Sequence, residues 1–109
     1  MIYIEKDKLY TEEFSVLDED NESVAGLTID DFDIKLYNDS EENVANITGG
    51  IEVSIIEVEA GIYRVSFIPD AFGNWSLYIY SELYFSTGKG ESFECIEKVG
   101  EVSGGLILN

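Results

Sequence analysis

Three features of the sequence predict an all-β fold, an antiparallel sandwich of about seven strands. Apolar and polar residues alternate with a period of two along most of the chain. Breaks rich in Gly, Asn, Asp and Ser recur at spacings of roughly 8–12 residues. Apolar repeats at helical spacing are hard to find. A small barrel is the alternative built from the same pattern. The chain has 109 residues, 45% of them apolar and 13% aromatic. That length is one domain's worth, and the apolar content supplies one core despite a net charge of −17.

The elements follow in order. Ile2, Tyr3 and Ile4 make a short apolar strand ahead of Lys6-Asp7-Lys8, and residues 1–11 are expected to extend outside the sandwich. Glu13-Phe14-Ser15-Val16-Leu17 reads as a strand with Phe14 and Val16 on one face, closed by the polar turn Asp18 to Glu22. Val24-Ala25-Gly26-Leu27 comes next, and its Gly permits a bulge or a tight bend. In Asp31 to Tyr37, Phe32, Ile34 and Leu36 point inward, with Asp33, Lys35 and Tyr37 outward. Ile51 to Val58 is a strand whose apolar set changes face at Ile55 and Ile56, which predicts a bulge there. Ile62 to Ile68 and Asn74 to Leu83 are a pair of strands around a loop holding the only Pro, Pro69. Glu91 to Lys98 is the last strand, and the sandwich is bounded at 12–98. Residues 99–109 form a Gly-rich tail ending in Leu106-Ile107-Leu108-Asn109.

Composition narrows the chemistry. With 23 Asp and Glu against six Lys and Arg, the surface repels nucleic acid and anionic membranes, whose binding relies on basic residues. Without His there is no imidazole base, no catalytic triad and no common zinc site. The lone Cys95 alternates with Phe93 and is read as a small core residue. No apolar run reaches the ~20 residues that span a bilayer. The first residues lack the basic and apolar regions of a signal peptide, so the expectation is a chain starting at Met1 and made in a cytoplasm.

One segment has a known look. Gly61-x-Tyr63-x-x-x-Phe67-x-Pro69, followed by Gly73-x-Trp75-x-Leu77, resembles the paired strands of immunoglobulin-like and filamin-like sandwich domains. Gly61 makes the turn, Tyr63, Val65 and Phe67 face the core, Pro69 ends the strand, and Trp75 packs across. Upstream, Phe14 to Asp18, Gly26-Leu27-Thr28 and Phe32-Asp33-Ile34 extend the likeness, which covers roughly residues 12–97. This order is similar to small immunoglobulin-like domains of tailed-phage virion proteins and bacterial surface proteins. The Cys pair of antibody domains and the Ser-Pro-Phe segment of filamin repeats are missing.

Candidate sites are few. Asp18, Asp20, Asp31 and Asp33 are carboxylates of the kind calcium takes as ligands. Their spacing does not match a calcium-binding loop, since Ser23 stands where the bend-forming Gly belongs, so solvated turns are the expectation, with no cofactor. No pattern marks a buried catalytic acid, and the chain is expected not to be an enzyme. Tyr78, Tyr80, Tyr84 and Tyr37 lie opposite the core residues, where Tyr serves interfaces or stacks on sugars. Leu106, Ile107 and Leu108 are the second candidate contact, either folding back as an edge strand or adding a strand to a neighbour. What the resemblance and these ends imply is a virion structural subunit or decoration. It would dock protein partners in a larger homo- or hetero-oligomeric assembly. A cell-surface adhesin-type or carbohydrate-binding module is the alternative.

Overall fold

The computed structural model describes residues 2–39, 42–81 and 85–97, the last stretch by its backbone alone over 85–89. Among these residues seven strands are formed: β1 (Ile2–Glu5), β2 (Tyr10–Ser15), β3 (Asp33–Tyr37), β4 (Ser54–Glu59), β5 (Ile62–Phe67), β6 (Gly73–Ser81) and β7 (Phe85–Ile96). They build two sheets, ordered β1-β7-β6-β3 and β2-β5-β4. Every neighbouring pair is antiparallel except β1 and β7, which run parallel. The described residues hold one helical element, a 3-10 turn at Ile29–Asp31. The chain is an all-β sandwich.

Alternation explains the core. Tyr63, Val65 and Phe67 of β5 face Trp75, Leu77 and Ile79 of β6, and none of the six is more than 2% exposed. Burying side chains of this size stabilises by roughly 1.5–3 kcal/mol each. Phe67 joins the sheets, with its ring centroid 6.1 Å from Trp75 and 5.9 Å from Phe93. Cys95 is buried and free, as its alternation with Phe93 implies.

Three local outcomes depend on contacts distant in sequence. Residues 1–11 are expected from sequence to lie outside the sandwich; in the structure Ile2–Glu5 pairs with Phe93–Ile96 and Tyr10 opens β2. Ile4 is 3% exposed and belongs to the core. The face change expected at Ile55 and Ile56 falls elsewhere. Ile51, Val53 and Ile55 all point inward, Ile56 is exposed, and the register slips between Glu57 and Glu59. The slip falls there because the Glu57 carboxylate is anchored, accepting N–H groups from Gly26 and Gly61 at 3.1 Å each. Residues 24–27 form a loop with Gly26 at φ +84°, held by the Tyr63 hydroxyl. That hydroxyl donates to the Val24 carbonyl at 2.6 Å and accepts the Leu27 N–H at 3.2 Å.

Gly73 begins β6 at φ +110°, a conformation nearly confined to glycine. The Asp39 carboxylate occupies the place where a Cβ would stand and accepts the Asn74 N–H at 3.1 Å. Gly73→Ala is therefore expected to cost about 2–4 kcal/mol, from backbone strain plus the displaced hydrogen bond. Thermal denaturation should register a drop of roughly 10–20 °C, and a shift under about 2 °C would show that the turn relaxes freely.

Candidate functional site

The alternation that buries Trp75, Leu77 and Ile79 turns Tyr78 and Tyr80 to the outer face of the four-stranded sheet. Register places Lys35 beside Tyr78 on one side and Gly90 on the other, with Asp33 beside Tyr80. Tyr78 is 47% exposed and Tyr80 36%. The Tyr37 ring meets Tyr78 edge to face, with centroids 5.9 Å apart. Gly90 is what lets the Tyr78 ring lie down, because a Cβ there would stand 3.0 Å from the ring carbon Cε1. The result is a firm aromatic surface: flat rings and phenolic hydroxyls on top, and a nearly fully buried inner layer beneath. Exposed aromatic rings with a polar tip have the chemistry of a contact surface.

Two of the four acidic candidates, Asp18 and Asp31, serve turns. Asp18 Oδ1 accepts the N–H groups of Asp20 at 2.8 Å and Glu22 at 3.0 Å, closing a loop in which Asn21 has φ +63°. Asp31 Oδ2 accepts the Thr28 N–H at 2.8 Å and so caps the 3-10 turn. Asp20 is exposed, and Asp33 lies on the tyrosine face. Among the described residues no group of three or more Asp, Glu, His or Cys side chains is arranged to hold a metal ion. The same residues include no buried carboxylate. Three other groups titrate away from their ordinary ranges: Tyr10, Tyr63 and Cys95 are all pushed up, foremost by burial. For Cys95 this disfavours the thiolate, the form that reacts.

Of the sequence's contact candidates, the structure brings Tyr37 and Tyr78 together and sets Tyr80 further along the same strand face. Tyr84, Leu106, Ile107 and Leu108 lie outside the described residues. A second surface was not legible in the sequence. Leu9, Ile51, Phe67 and Ile68 border a groove of about 250 Å³, together with Gly50, Glu52 and Ser54. Its signal was the pair of outward positions, Leu9 and Ile68, flanking the inward Tyr10 and Phe67, but only the β2–β5 register makes them neighbours.

This architecture is a filamin-like immunoglobulin fold, and several solved structures share it, including these three. The crystal structure of the Lin-41 filamin domain is 15% identical, with a TM-score of 0.62 over 88% of this chain and 84% of that one. Domains 4 and 5 of the S-layer protein SbsC give 12% identity and a TM-score of 0.56, over 87% of this chain and 40% of that one. A putative glycoside hydrolase from Bacteroides vulgatus gives 17% identity and a TM-score of 0.60, over 96% of this chain and 18% of that one. At such identities the likeness shows the fold alone. No protein-family model matches the chain, and no curated protein matches it. No helix among the described residues is long and apolar enough to cross a membrane.

Proposed function

We infer that this chain is a non-enzymatic structural module that docks protein partners through the outer face of its four-stranded sheet. The observation that carries the reading is the half-exposed cluster of Tyr37, Tyr78 and Tyr80 on a rigid base. Large, stiff aromatic side chains with a polar tip are the residues that dominate interface energetics. The acidic turns around it keep copies apart and favour partners with basic patches. The setting we assign is a phage virion, as a neck, tail, baseplate or capsid-surface component, on the strength of the sequence resemblance. The likeness to S-layer domains supports a second setting, a module at a bacterial surface.

Sedimentation of native source material on a density gradient, following this chain by mass spectrometry, separates the two. Travel with a dense DNA-containing particle supports the virion setting, and travel with the cell envelope supports the surface one. A slow free monomer would rule out both. In whichever fraction the chain is found, Tyr78→Ser with Tyr80→Ser is expected to weaken attachment at least tenfold. Because both side chains are half-exposed, the double variant should lose no more than about 1 kcal/mol of stability. Unchanged attachment would move the docking site off this face.

A further inference from the structure

We propose that the groove beside Leu9 and Ile68 is the seat of this chain's own Leu106-Ile107-Leu108 segment, folded back within the same molecule. The groove lies at the end of the sandwich where the described chain leaves β7. There the Lys6 N–H donates to the Ile96 carbonyl at 3.1 Å, and the Asp7 N–H donates to the Pro69 carbonyl at 2.8 Å. Pro69 is the residue after Ile68, so the exit from β7 and the groove share one end of the fold.

Size, reach and charge agree. An apolar cavity of ~150 Å³ accepts a benzene-sized group, so a groove of about 250 Å³ has room for aliphatic side chains. Leu9 is 62% exposed and Ile68 47%, large apolar surfaces in a molecule that is otherwise strongly acidic. Phe72, also exposed, already has the Lys6 ammonium 5.5 Å from its ring centroid. Nine residues lead from Glu97 to Leu106, which at ~3.3 Å each gives a reach of about 30 Å. Gly100, Gly104 and Gly105 let that stretch reverse direction. From Gly104 to Asn109 the sequence carries no charged side chain, as suits a groove whose one charged neighbour is Glu52.

Charge also selects the occupant. Two copies at −17 repel each other, whereas a tethered segment faces the groove at an effective concentration in the millimolar range. This surface is separate from the tyrosine face, so either reading can fail without the other.

The test is paramagnetic broadening in the full chain. A nitroxide is placed on Ser103→Cys, since the native Cys95 is buried and spared by the label. The methyl signals of Leu9 and Ile68 are expected to disappear, while those of Val24 and Leu27, in the loop held by Tyr63, keep full intensity. Leu106→Ser with Leu108→Ser should restore the lost signals, and in Leu9→Ser with Ile68→Ser, whose exposed positions tolerate the change, the methyls of Ile51 in the same groove should escape broadening. A mixture of isotope-labelled, nitroxide-free chains with unlabelled nitroxide chains must leave the Leu9 and Ile68 methyls intact. Broadening in that mixture would seat the segment on a second copy and overturn the proposal. Intact Leu9 and Ile68 signals in the singly labelled chain would overturn it too.

Discussion

Replacing Trp75 by Ala is expected to cost about 3–5 kcal/mol, a large part of the 5–15 kcal/mol that holds a domain of this size together. Trp75 is 1% exposed and sits opposite Phe93 in the register between β6 and β7. Its ring also packs against Phe67 of the facing sheet. Truncation thus opens a void that both sheets line, and neither can collapse into it without breaking strand pairing. Trp75→Phe separates packing from hydrogen bonding. It keeps most of the volume and gives up the bond from Nε1 to the Ala71 carbonyl, 2.9 Å long. Ala71 is part-exposed, so water can replace the donor and the loss should stay near 1 kcal/mol plus the smaller ring's packing deficit. Urea midpoints read by circular dichroism are the measurement, because the substitution removes the only Trp fluorophore. A loss under about 1 kcal/mol for the Ala variant would mean that the two sheets do not depend on this ring.

Alkali should destabilise the fold steeply. The Tyr63 hydroxyl, on a side chain with 0% exposure, needs its proton to donate to Val24, and burial foremost pushes its pKa up. Burial, then the hydrogen bond to Glu12, raises Tyr10; burial raises Cys95. Each group holds its proton more tightly in the folded state than in the unfolded chain. The unfolded chain therefore releases protons first as pH rises, the folded state binds more of them, and stability falls with pH. The contribution is fully present below the unfolded values, about 8.5 for Cys and 10 for Tyr, and is lost above them at up to ~1.4 kcal/mol per pH unit for each group. Urea midpoints between pH 8 and pH 11 should follow this decline. Tyr63→Phe should start about 1–3 kcal/mol lower, having left two backbone groups of residues 24–27 without their partner, yet decline less steeply above pH 10. Parallel curves for the two proteins would show that the Tyr63 proton is not linked to folding.

Much of this core was legible because period-two alternation is a local signal. Tyr63, Val65 and Phe67 could be assigned inward from their spacing alone, as could Trp75, Leu77 and Ile79, and Tyr78 and Tyr80 outward by the same rule. What escaped depends on partners far along the chain. Nothing in Ile2-Tyr3-Ile4 announces that it pairs with Phe93 to Cys95, some ninety residues on. Two adjacent isoleucines do not reveal which one faces in; Ile55 does, since the extra residue is absorbed at Val58, next to the anchored Glu57. The tyrosine face was half visible for the same reason. Alternation placed the rings outside, but their depth of seating required Gly90 to lie across the ladder from Tyr78. Leu9 and Ile68 lie 59 residues apart in sequence, and only the β2–β5 register makes them neighbours.

The parallel pairing of β1 with β7 also sets how the fold answers a pull. Tension applied ahead of Ile2 and beyond Ile96 drags these two neighbouring strands in opposite directions along their shared axis. Their hydrogen bonds, spread over the four register pairs from Ile2–Phe93 to Glu5–Ile96, then carry the load in shear and together. Peeling β3 from β6 would instead break the bonds of an antiparallel ladder one after another. Single-molecule stretching through the two chain ends is expected to show one abrupt rupture rather than gradual unravelling. Exchanging Ile4 for Gly, which empties the buried anchor of β1, should lower the force at which it comes.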